Sequence, residues 1–352
     1  MKVVSSADTR LHDPEAEIWV GVRIDGTEVA QRVEVIETAL TAAGHEIVTP
    51  RTVAVGELET VHHPDLVSFL RDAWAQWEQS GYPSEPGQNR IVPYVFPSAD
   101  LTSGRPPRRP VSVAALAGLY AIDTMTLIGP GSWPAIEAAA ACALTAADLV
   151  AGGEKTVYAL CRPPGHHAGA TFYGGSCYLN NAALATTRLL ATVGGPVAIV
   201  DIDAHHGNGT QEIFYHRGDV LYGSVHIDPA AGYFPHFLGF PDEEGVAFGL
   251  GANRNLVLPP GTGDEEWLEK VGDLAEFASG AAAMVVSLGV DAWRNDPESP
   301  LQVSVAGFDM AGQILGSINK PTVVVQEGGY DLASLGGLVS AFLRGFEGHA
   351  RT

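Results

Sequence analysis

The segment Asp201-Ile-Asp203-Ala-His205 places several possible metal ligands close together in the chain. The apolar, β-branched run at residues 196–200 comes directly before it and predicts an interior strand of a parallel sheet. Since side chains two apart on a strand share a face, Asp203 and His205 can converge on one ion where the strand ends. Carboxylate and imidazole ligands suit Zn²⁺, and a site with three protein ligands leaves a position for water and substrate. An isolated Asp-x-His, however, also serves hydrogen-bonded loops and helix caps.

Two other segments carry the same kind of signal. His166 and His167 follow a short apolar run at residues 156–160, and Asp291 follows a third run at residues 281–286. Three predicted strands that each end in histidine or aspartate describe an open α/β sheet. The carboxyl edge of that sheet is the predicted place of a metal site.

The sequence alternates between helical and strand patterns after residue 130. The serine, proline and glutamate within residues 132–137 predict a helix start with a serine cap, and alanine-rich sequence continues to Gly152. Further helices are predicted near residues 178–192, 264–280, 305–319 and 331–347, and strands at 156–161, 196–201, 220–227, 283–289 and 321–326. This alternation predicts a mainly parallel sheet with helices on both faces, in a single domain over residues 1–352.

Composition limits the class of protein. The 352 residues include 41 acidic and 20 basic ones and give a formal net charge of −21. This charge argues against nucleic acid as a partner and favours cationic ligands, although an acidic surface is also a common solubility feature.

Cysteine content and hydropathy indicate the cellular environment of the protein. The three cysteines, Cys142, Cys161 and Cys177, lack paired spacing, so we expect no disulfide framework and a reducing, cytoplasmic environment. The N-terminus lacks the profile of a signal peptide. We also expect no apolar run near the roughly 20 residues that span a bilayer, and hence no membrane partner.

Residues 80–110 differ in composition from the rest of the chain. They contain seven prolines, several aromatic residues and the basic sequence Arg105-Pro-Pro-Arg-Arg109. Such a segment is not expected to form regular structure. It is either a passive surface loop or, as long loops in compact domains often are, a binding loop or an oligomer contact.

Four strings of the sequence together resemble one known family. They are Arg162-Pro-Pro-Gly-His-His-Ala168, Asp201-Ile-Asp-Ala-His-His-Gly-Asn-Gly-Thr-Gln211, Ser287-Leu-Gly-Val-Asp291 and Glu327-Gly-Gly-Tyr330. In this order they are similar to the zinc-dependent histone deacetylase superfamily, in its class II and bacterial form. Three more strings are most similar to the acetylpolyamine amidohydrolase branch of that superfamily: Tyr233-Phe-Pro-His-Phe-Leu-Gly239, Gly261-Thr-Gly-Asp264 and Cys142-Ala-Leu-Thr-Ala-Ala-Asp148.

The resemblance implies two bound cations. Asp203, His205 and Asp291 would be zinc ligands, because two carboxylates and a neutral imidazole balance the charge of the ion. A structural potassium ion would bind at an inner site formed by Asp201, Ser224 and Val225 together with backbone carbonyls.

The resemblance also implies which residues take part in proton transfer. His167 would be the general base, and His166 an electrostatic neighbour that holds a proton. His166 would pair with Asp201 and His167 with the uncharged Asn208. Because a carboxylate favours imidazolium and an amide does not, we expect the two histidines to differ in protonation at pH 7. Tyr330, which follows two glycines, would donate a hydrogen bond to the substrate carbonyl oxygen.

The family commonly lines its acyl channel with a pair of aromatic side chains. Phe234 matches one of them, but the other position holds Ser176. One wall of the channel is therefore expected to be missing, unless Phe172 or Tyr173 replaces it. The other residues expected beside the substrate are Gly175 and Gly328.

Glu298 stands seven residues past Asp291. A glutamate at this position resembles the one that faces a secondary ammonium in the animal polyamine deacetylase of the superfamily, although a glutamate beside a proline turn is equally ordinary. The sequence thus predicts a zinc-dependent amidohydrolase that removes acetyl groups from N-acetylated alkylamines, with acetylpolyamines favoured. Its partners would be a small cationic acetylated amine and a second copy of the chain, each 80–110 loop narrowing the other copy's entrance.

Three other functions are weighed against this one. A protein acetyl-lysine deacetylase would use the same mechanism. A non-catalytic acyl-lysine binding module shares the fold, but the presence of the ligands, both histidines and Tyr330 counts against it. An arginase-like ureohydrolase needs two Mn²⁺ ions and a carboxylate two residues after the last ligand, where this chain has Trp293.

Overall fold

A parallel sheet forms the centre of the computed structural model, which describes residues 1–85 and 87–349. The strands of the described chain are β1 (Lys2–Val4), β2 (Glu17–Trp19), β3 (Val22–Ile24), β4 (Glu46–Val48), β5 (Thr156–Ala159), β6 (Val197–Asp201), β7 (Val220–Ile227), β8 (Asn253–Leu258), β9 (Ala283–Leu288) and β10 (Thr322–Gln326). Eight of them form one sheet in the order β4-β1-β5-β10-β9-β6-β7-β8, and β2 and β3 form a separate antiparallel hairpin. All neighbouring pairs of the large sheet are parallel.

Helices cover both faces of this sheet. They are α1 (Gln31–Ala42), α2 (Val55–Leu58), α3 (Pro64–Gln79), α4 (Val113–Tyr120), α5 (Ser132–Ala151), α6 (Asn181–Leu190), α7 (Asn208–Phe214), α8 (Asp264–Ala278), α9 (Val305–Ser317) and α10 (Leu335–His349). Val286 and Val324 face a core shared with α1, α8, α9 and α10. Val285 and Val323 face the opposite core, shared with α5 and α6. Because successive strand residues point to opposite faces, strands buried on both sides need the continuous apolar runs seen in the sequence.

The predicted fold class is confirmed, as are the predicted helices and strands after residue 130, with ends that differ by a few residues. The prediction missed β8, because its sequence Asn253-Arg-Asn begins with polar residues. It also missed every element before residue 130. Ser132 is the first residue of α5 rather than its cap; its hydroxyl lies 2.9 Å from Nδ1 of His12 and accepts from the Gly129 N–H.

Helix α5 contradicts the expectation that no apolar run approaches the length needed to span a bilayer. Its 20 residues are long and apolar enough to cross a membrane by length and composition. However, 72% of the apolar window is buried inside the protein, where it packs against α6 and β5. Such burial is typical of a core helix.

The 80–110 segment lacks regular helices and strands in its described part, as predicted, but it is anchored to the domain. Ile91 is fully buried and exchanges backbone hydrogen bonds with Ile128. Arg90 donates from Nε to the Asp13 carbonyl at 2.7 Å. Pro86 of this segment, and residues 350–352 of the predicted domain, lie outside the described residues.

Candidate active site

The three expected zinc ligands meet at the carboxyl edge of adjacent strands. Asp203 and His205 lie in the turn after β6, and Asp291 follows β9. Nδ1 of His205 lies 3.3 Å from Oδ1 of Asp203 and 3.0 Å from Oδ2 of Asp291. One possible ligand atom from each residue lies within 4.8 Å of the others. Strand pleating does not bring Asp203 and His205 together, because β6 ends at Asp201; instead, the His205 N–H donates to Oδ1 of Asp203 and closes a turn.

This donor set fits a divalent cation. Asp203 and Asp291 are fully buried or nearly so, and burial together with the charge of Asp203 raises the pKa of Asp291 to about 7. Burial alone would lower the pKa of His205, but its hydrogen bonds to both carboxylates raise it well above the usual value. A bound cation would relieve this concentration of negative charge. In the described part of the chain this is the one group of histidine, cysteine and acidic side chains with such spacing, so a two-manganese site has no second group to use.

The two adjacent histidines have the different partners expected from the resemblance. Nδ1 of His166 lies 3.1 Å from Oδ2 of Asp201, and Nδ1 of His167 lies 2.7 Å from Oδ1 of Asn208. Burial would lower the pKa of His166, but Asp203 and Asp201 raise it to about 10. Burial and the nearby cationic rings, first of all His166, hold the pKa of His167 well below its usual value. At neutral pH the pair therefore consists of one cationic and one neutral ring.

Tyr330 reaches the same place from the end of β10. The preceding Gly329 has a φ of +121°, and a Cβ there would lie 2.5 Å from Cγ2 of Val290, so the turn requires glycine. The guanidinium carbon of Arg32 lies 4.8 Å from the centre of the Tyr330 ring. Burial raises the pKa of the phenol well above its ordinary value, so the hydroxyl keeps the proton that it could donate.

A small cavity of about 90 Å³ connects these groups with the surface. Besides His167, His205 and Tyr330, its lining comprises Phe234, Glu298, Gly175, Ser176, Met125, Glu17 and Thr27. The ring of Phe234 meets His167 edge to face at a centroid distance of 4.8 Å. A Cβ at Gly175 would lie 2.4 Å from Cδ2 of His167, which shows how closely the loop packs on the ring.

The missing aromatic wall is not restored by the residues that we expected. Tyr173 is fully buried, stacked on Tyr178 in a separate core, and Phe172 lines only the outer cavity. Met125, from the loop after α4, lines the small cavity instead. Gly328 does not line the small cavity either: it is buried against Asp203 and Asp291, and its N–H donates to Oδ2 of Asp203 at 2.8 Å.

Two carboxylates lie together in the small cavity. Oε1 of Glu298 accepts a hydrogen bond from the Thr27 hydroxyl at 2.9 Å. Burial, and then the negative charge of Glu298, raise the pKa of Glu17 to about 7. Sequence reasoning did not find Glu17, Thr27 or Met125, since no motif marks them and the hairpin of β2 and β3 was not predicted.

A wider cavity of about 540 Å³ adjoins the small one and shares Met125 and Phe234 with it. Its other walls are mainly apolar and come from the β2–β3 hairpin, the 80–110 loop and the loops after α4, β5 and β7. They include Trp19, Val20, Phe96, Phe172 and Phe237.

The residues expected to bind potassium are buried within strands β6 and β7. Asp201 and Ser224 are register partners on β6 and β7, and Asp201, Ser224 and Val225 are fully buried. Oδ2 of Asp201 accepts from the Tyr222 hydroxyl, and Ser224 Oγ lies 2.8 Å from Nδ1 of His226.

Comparison with known proteins agrees with this geometry. The histone deacetylase domain model matches residues 26–346. The chain is 38% identical over 99% of its length to acetylpolyamine amidohydrolase of Mycoplana ramosa, whose whole length is covered, and 37% identical over 100% of both chains to acetylpolyamine amidohydrolase 1 of Pseudomonas aeruginosa. The chain belongs to the histone deacetylase family. As a member it is a deacetylase, a hydrolase in a family that uses zinc.

Two solved structures have the same fold as this chain. The crystal structure of acetylpolyamine aminohydrolase from Burkholderia pseudomallei superposes with a TM-score of 0.92 at 37% identity and covers 99% of both chains. The HD domain of HDA15 has a TM-score of 0.76 at 28% identity, covering 99% of this chain and 89% of that one.

Proposed function

We propose that this deacetylase removes acetyl groups from small N-acetylated alkylamines, with acetylpolyamines favoured, and that it uses zinc. The observation that carries the substrate class is the pair of carboxylates, Glu17 and Glu298, in the same cavity as His167 and Tyr330. Two half-buried carboxylates repel each other, and an ammonium group between them would relieve that repulsion. The full-length relatives named acetylpolyamine amidohydrolase support the same substrate class.

The residues of the site suit amide hydrolysis. Zinc held by Asp203, His205 and Asp291 would polarise the amide carbonyl and make a water molecule more acidic. The neutral ring of His167 accepts a proton from the attacking water and returns it to the leaving amine. His166 keeps its own proton, and Tyr330 donates a hydrogen bond to the carbonyl oxygen as negative charge develops there.

A potassium ion at Asp201, Ser224 and Val225 is part of the same proposal. The support is a fully buried carboxylate beside a register partner at the base of the site. If the ion is structural, the melting temperature should be higher in potassium than in tetramethylammonium at equal ionic strength. Equal melting temperatures would contradict it.

The substrate class is tested by comparing kcat/KM for acetylputrescine, acetylspermidine and an acetyl-lysine peptide. Glu298→Leu should lower kcat/KM for the two amines by about tenfold and leave the peptide within about twofold. Glu78→Leu, on the exposed side of α3, is the matched control. An unchanged preference in Glu298→Leu would refute the role of that carboxylate. A native protein that prefers the peptide would instead be a protein deacetylase, and binding without hydrolysis would indicate a binding module.

We also propose that the protein is a homodimer in which the 80–110 loop meets the partner near the entrance. The support is the exposure of Tyr94 (74%) and Leu101 (66%) in this loop and of Trp19 (57%) across the wide cavity. Removal of the whole loop is a poor test because Ile91 is buried in the core. Replacing residues 98–106 by a glycine-serine linker should give a monomer by light scattering. A dimer that survives this replacement would refute the loop's role.

A further inference from the structure

The loop between β9 and α9 contains a buried carboxylate, Asp296, that the proposed reaction does not use. The residue is 7% exposed. Its Oδ2 accepts a hydrogen bond from the N–H of Tyr330 at 2.7 Å and from that of Asp331 at 3.3 Å. Its Oδ1 accepts from the N–H of Glu298 at 3.0 Å. The side chain of Asp296 thus links the backbone at Tyr330 to the backbone at Glu298.

The peptide group before Tyr330 is held at both ends. Its N–H donates to Asp296, and its carbonyl, that of Gly329, accepts from Nε of Arg32 at 2.7 Å. Both partners are buried charged groups, which form stronger hydrogen bonds than neutral ones do. Because a peptide group is planar, holding its oxygen and its nitrogen fixes the position of the Tyr330 Cα, from which the phenol extends.

The glycines before Tyr330 make such external contacts necessary. Glycine populates more backbone conformations than any other residue, so Gly328 and Gly329 do not hold the phenol in place by themselves. On the other side of Asp296, Glu298 is held by its own N–H and by the Thr27 hydroxyl on its carboxylate. Asp296 is the one group that contacts both segments directly among the hydrogen bonds of the described residues.

We infer that Asp296 is a positioning residue for the phenol of Tyr330 and for the carboxylate of Glu298 together. Turnover and preference for a cationic substrate then depend on one side chain that touches no substrate. The inference rests on the function proposed above, in which Tyr330 donates to the carbonyl oxygen and Glu298 faces the ammonium group. A carboxylate that only stabilised the loop would change the stability of the protein but not the contribution of the Tyr330 hydroxyl.

The first test is a double-mutant cycle between Asp296→Asn and Tyr330→Phe, with kcat measured on acetylputrescine. Asparagine has one acceptor oxygen, so it cannot serve both sets of N–H groups. Asp296→Asn should lower kcat about tenfold in the native background and by no more than about twofold in Tyr330→Phe, where no hydroxyl is left to position. Equal factors in the two backgrounds would overturn the inference.

The second test concerns substrate preference. The ratio of kcat/KM for acetylputrescine to that for uncharged N-acetylbutylamine should fall about threefold in Asp296→Asn. It should fall no further when Asp296→Asn is added to Glu298→Gln. A ratio that Asp296→Asn leaves unchanged would show that the residue does not position Glu298.

Two further variants separate positioning from folding. Asp264→Asn is the matched control, because Asp264 accepts from the N–H and the hydroxyl of Ser304, neither residue lines either cavity, and the change should affect only the melting temperature. Asp296→Glu keeps both acceptor oxygens and should retain more of kcat than Asp296→Asn does; equal losses would count against positioning. If the native protein hydrolyses neither substrate, the proposed function fails; if it hydrolyses them and the factors are equal, only the role of Asp296 fails.

Discussion

The ring of His167 is neutral because of its burial, the cationic ring of the adjacent His166 and an uncharged hydrogen-bond partner. It is buried with its ring centroid 4.0 Å from that of the cationic His166, and its own partner is the uncharged amide oxygen of Asn208 at 2.7 Å. His166, next in the chain, faces the carboxylate of Asp201 at 3.1 Å and is cationic. A difference in one partner atom thus gives two identical side chains different protonation states, as the proposed roles of base and fixed charge require.

Asn208→Asp should reduce this difference in protonation. A carboxylate beside His167 favours its protonated form, so the pKa of the ring rises and the base is lost over a wider acid range. The acid limb of the pH profile of kcat/KM should move up by about one pH unit, with zinc content unchanged. An acid limb that stays in place would contradict the assignment of His167 as the base.

Glu17 gives the site a second pH dependence. Its pKa is raised to about 7, so it takes up a proton as the pH falls from 8 to 6 and then attracts an ammonium group less. KM for acetylputrescine should therefore rise by about threefold between pH 8 and pH 6, whereas KM for uncharged N-acetylbutylamine should not. In Glu17→Gln the two substrates should show the same pH dependence. A rise in KM for acetylputrescine that persists in Glu17→Gln would assign it to another group.

At the scale of the elements, loops that no sequence motif marks supply part of the lining of the small cavity. The loop after α4 brings Met125 into the small cavity that Phe234 also lines, where the expected second aromatic ring is missing. Its course is fixed by Asp123, whose Oδ1 accepts from the N–H groups of Met125 and Thr126, both at 2.8 Å. A flexible thioether side chain fills irregular space and yields more easily than an aromatic ring.

Met125→Ala should therefore widen the channel. The ratio of kcat/KM for a butyryl amide to that for the acetyl amide should rise by about five- to tenfold, because the longer chain gains space that the native side chain occupies. Phe172→Ala, which opens only the outer cavity, should leave the ratio within about twofold. If both variants change the ratio equally, Met125 is not the second wall.

The elements that could be predicted from the sequence are those with strong apolar runs. β5, β6, β9 and β10 lie in the buried middle of the sheet, and a parallel sheet covered on both faces requires such runs. β1 and β4 have three residues each and β8 starts with polar residues, so periodicity gave too little signal there. The clustering of Asp203, His205 and Asp291 near the two histidines could be predicted because these residues follow the predicted strands directly. Glu17, Met125 and Asp296 could not, since they reach the site through loops whose paths depend on tertiary contacts.

At the scale of the whole molecule, the proposed metal site takes its residues from distant parts of the chain. Asp203 and His205 follow β6, whereas Asp291 follows β9, and these strands are neighbours in the sheet. An unfolded chain does not bring these side chains together, so a cation that they bind favours the folded state.

Removal of zinc should therefore abolish activity and lower the melting temperature. An ion at one hundred times its dissociation constant stabilises the folded state by about 2.7 kcal/mol. Dialysis against a chelator followed by added zinc should reverse both changes. Asp291→Asn is the control, because its melting temperature should respond little to the chelator. A native protein whose melting temperature is insensitive to the chelator would contradict a metal at this site.

β10 is made after every other strand of the described chain, yet it lies between β5 and β9 in the middle of the sheet. Until residues 322–326 leave the ribosome, β5 and β9 have unpaired apolar edges that can bind other unfinished chains. Nascent chains must therefore be protected from association until synthesis is almost complete. A product that ends before residue 322 should collect in insoluble material, even though it contains both histidines and all three metal ligands.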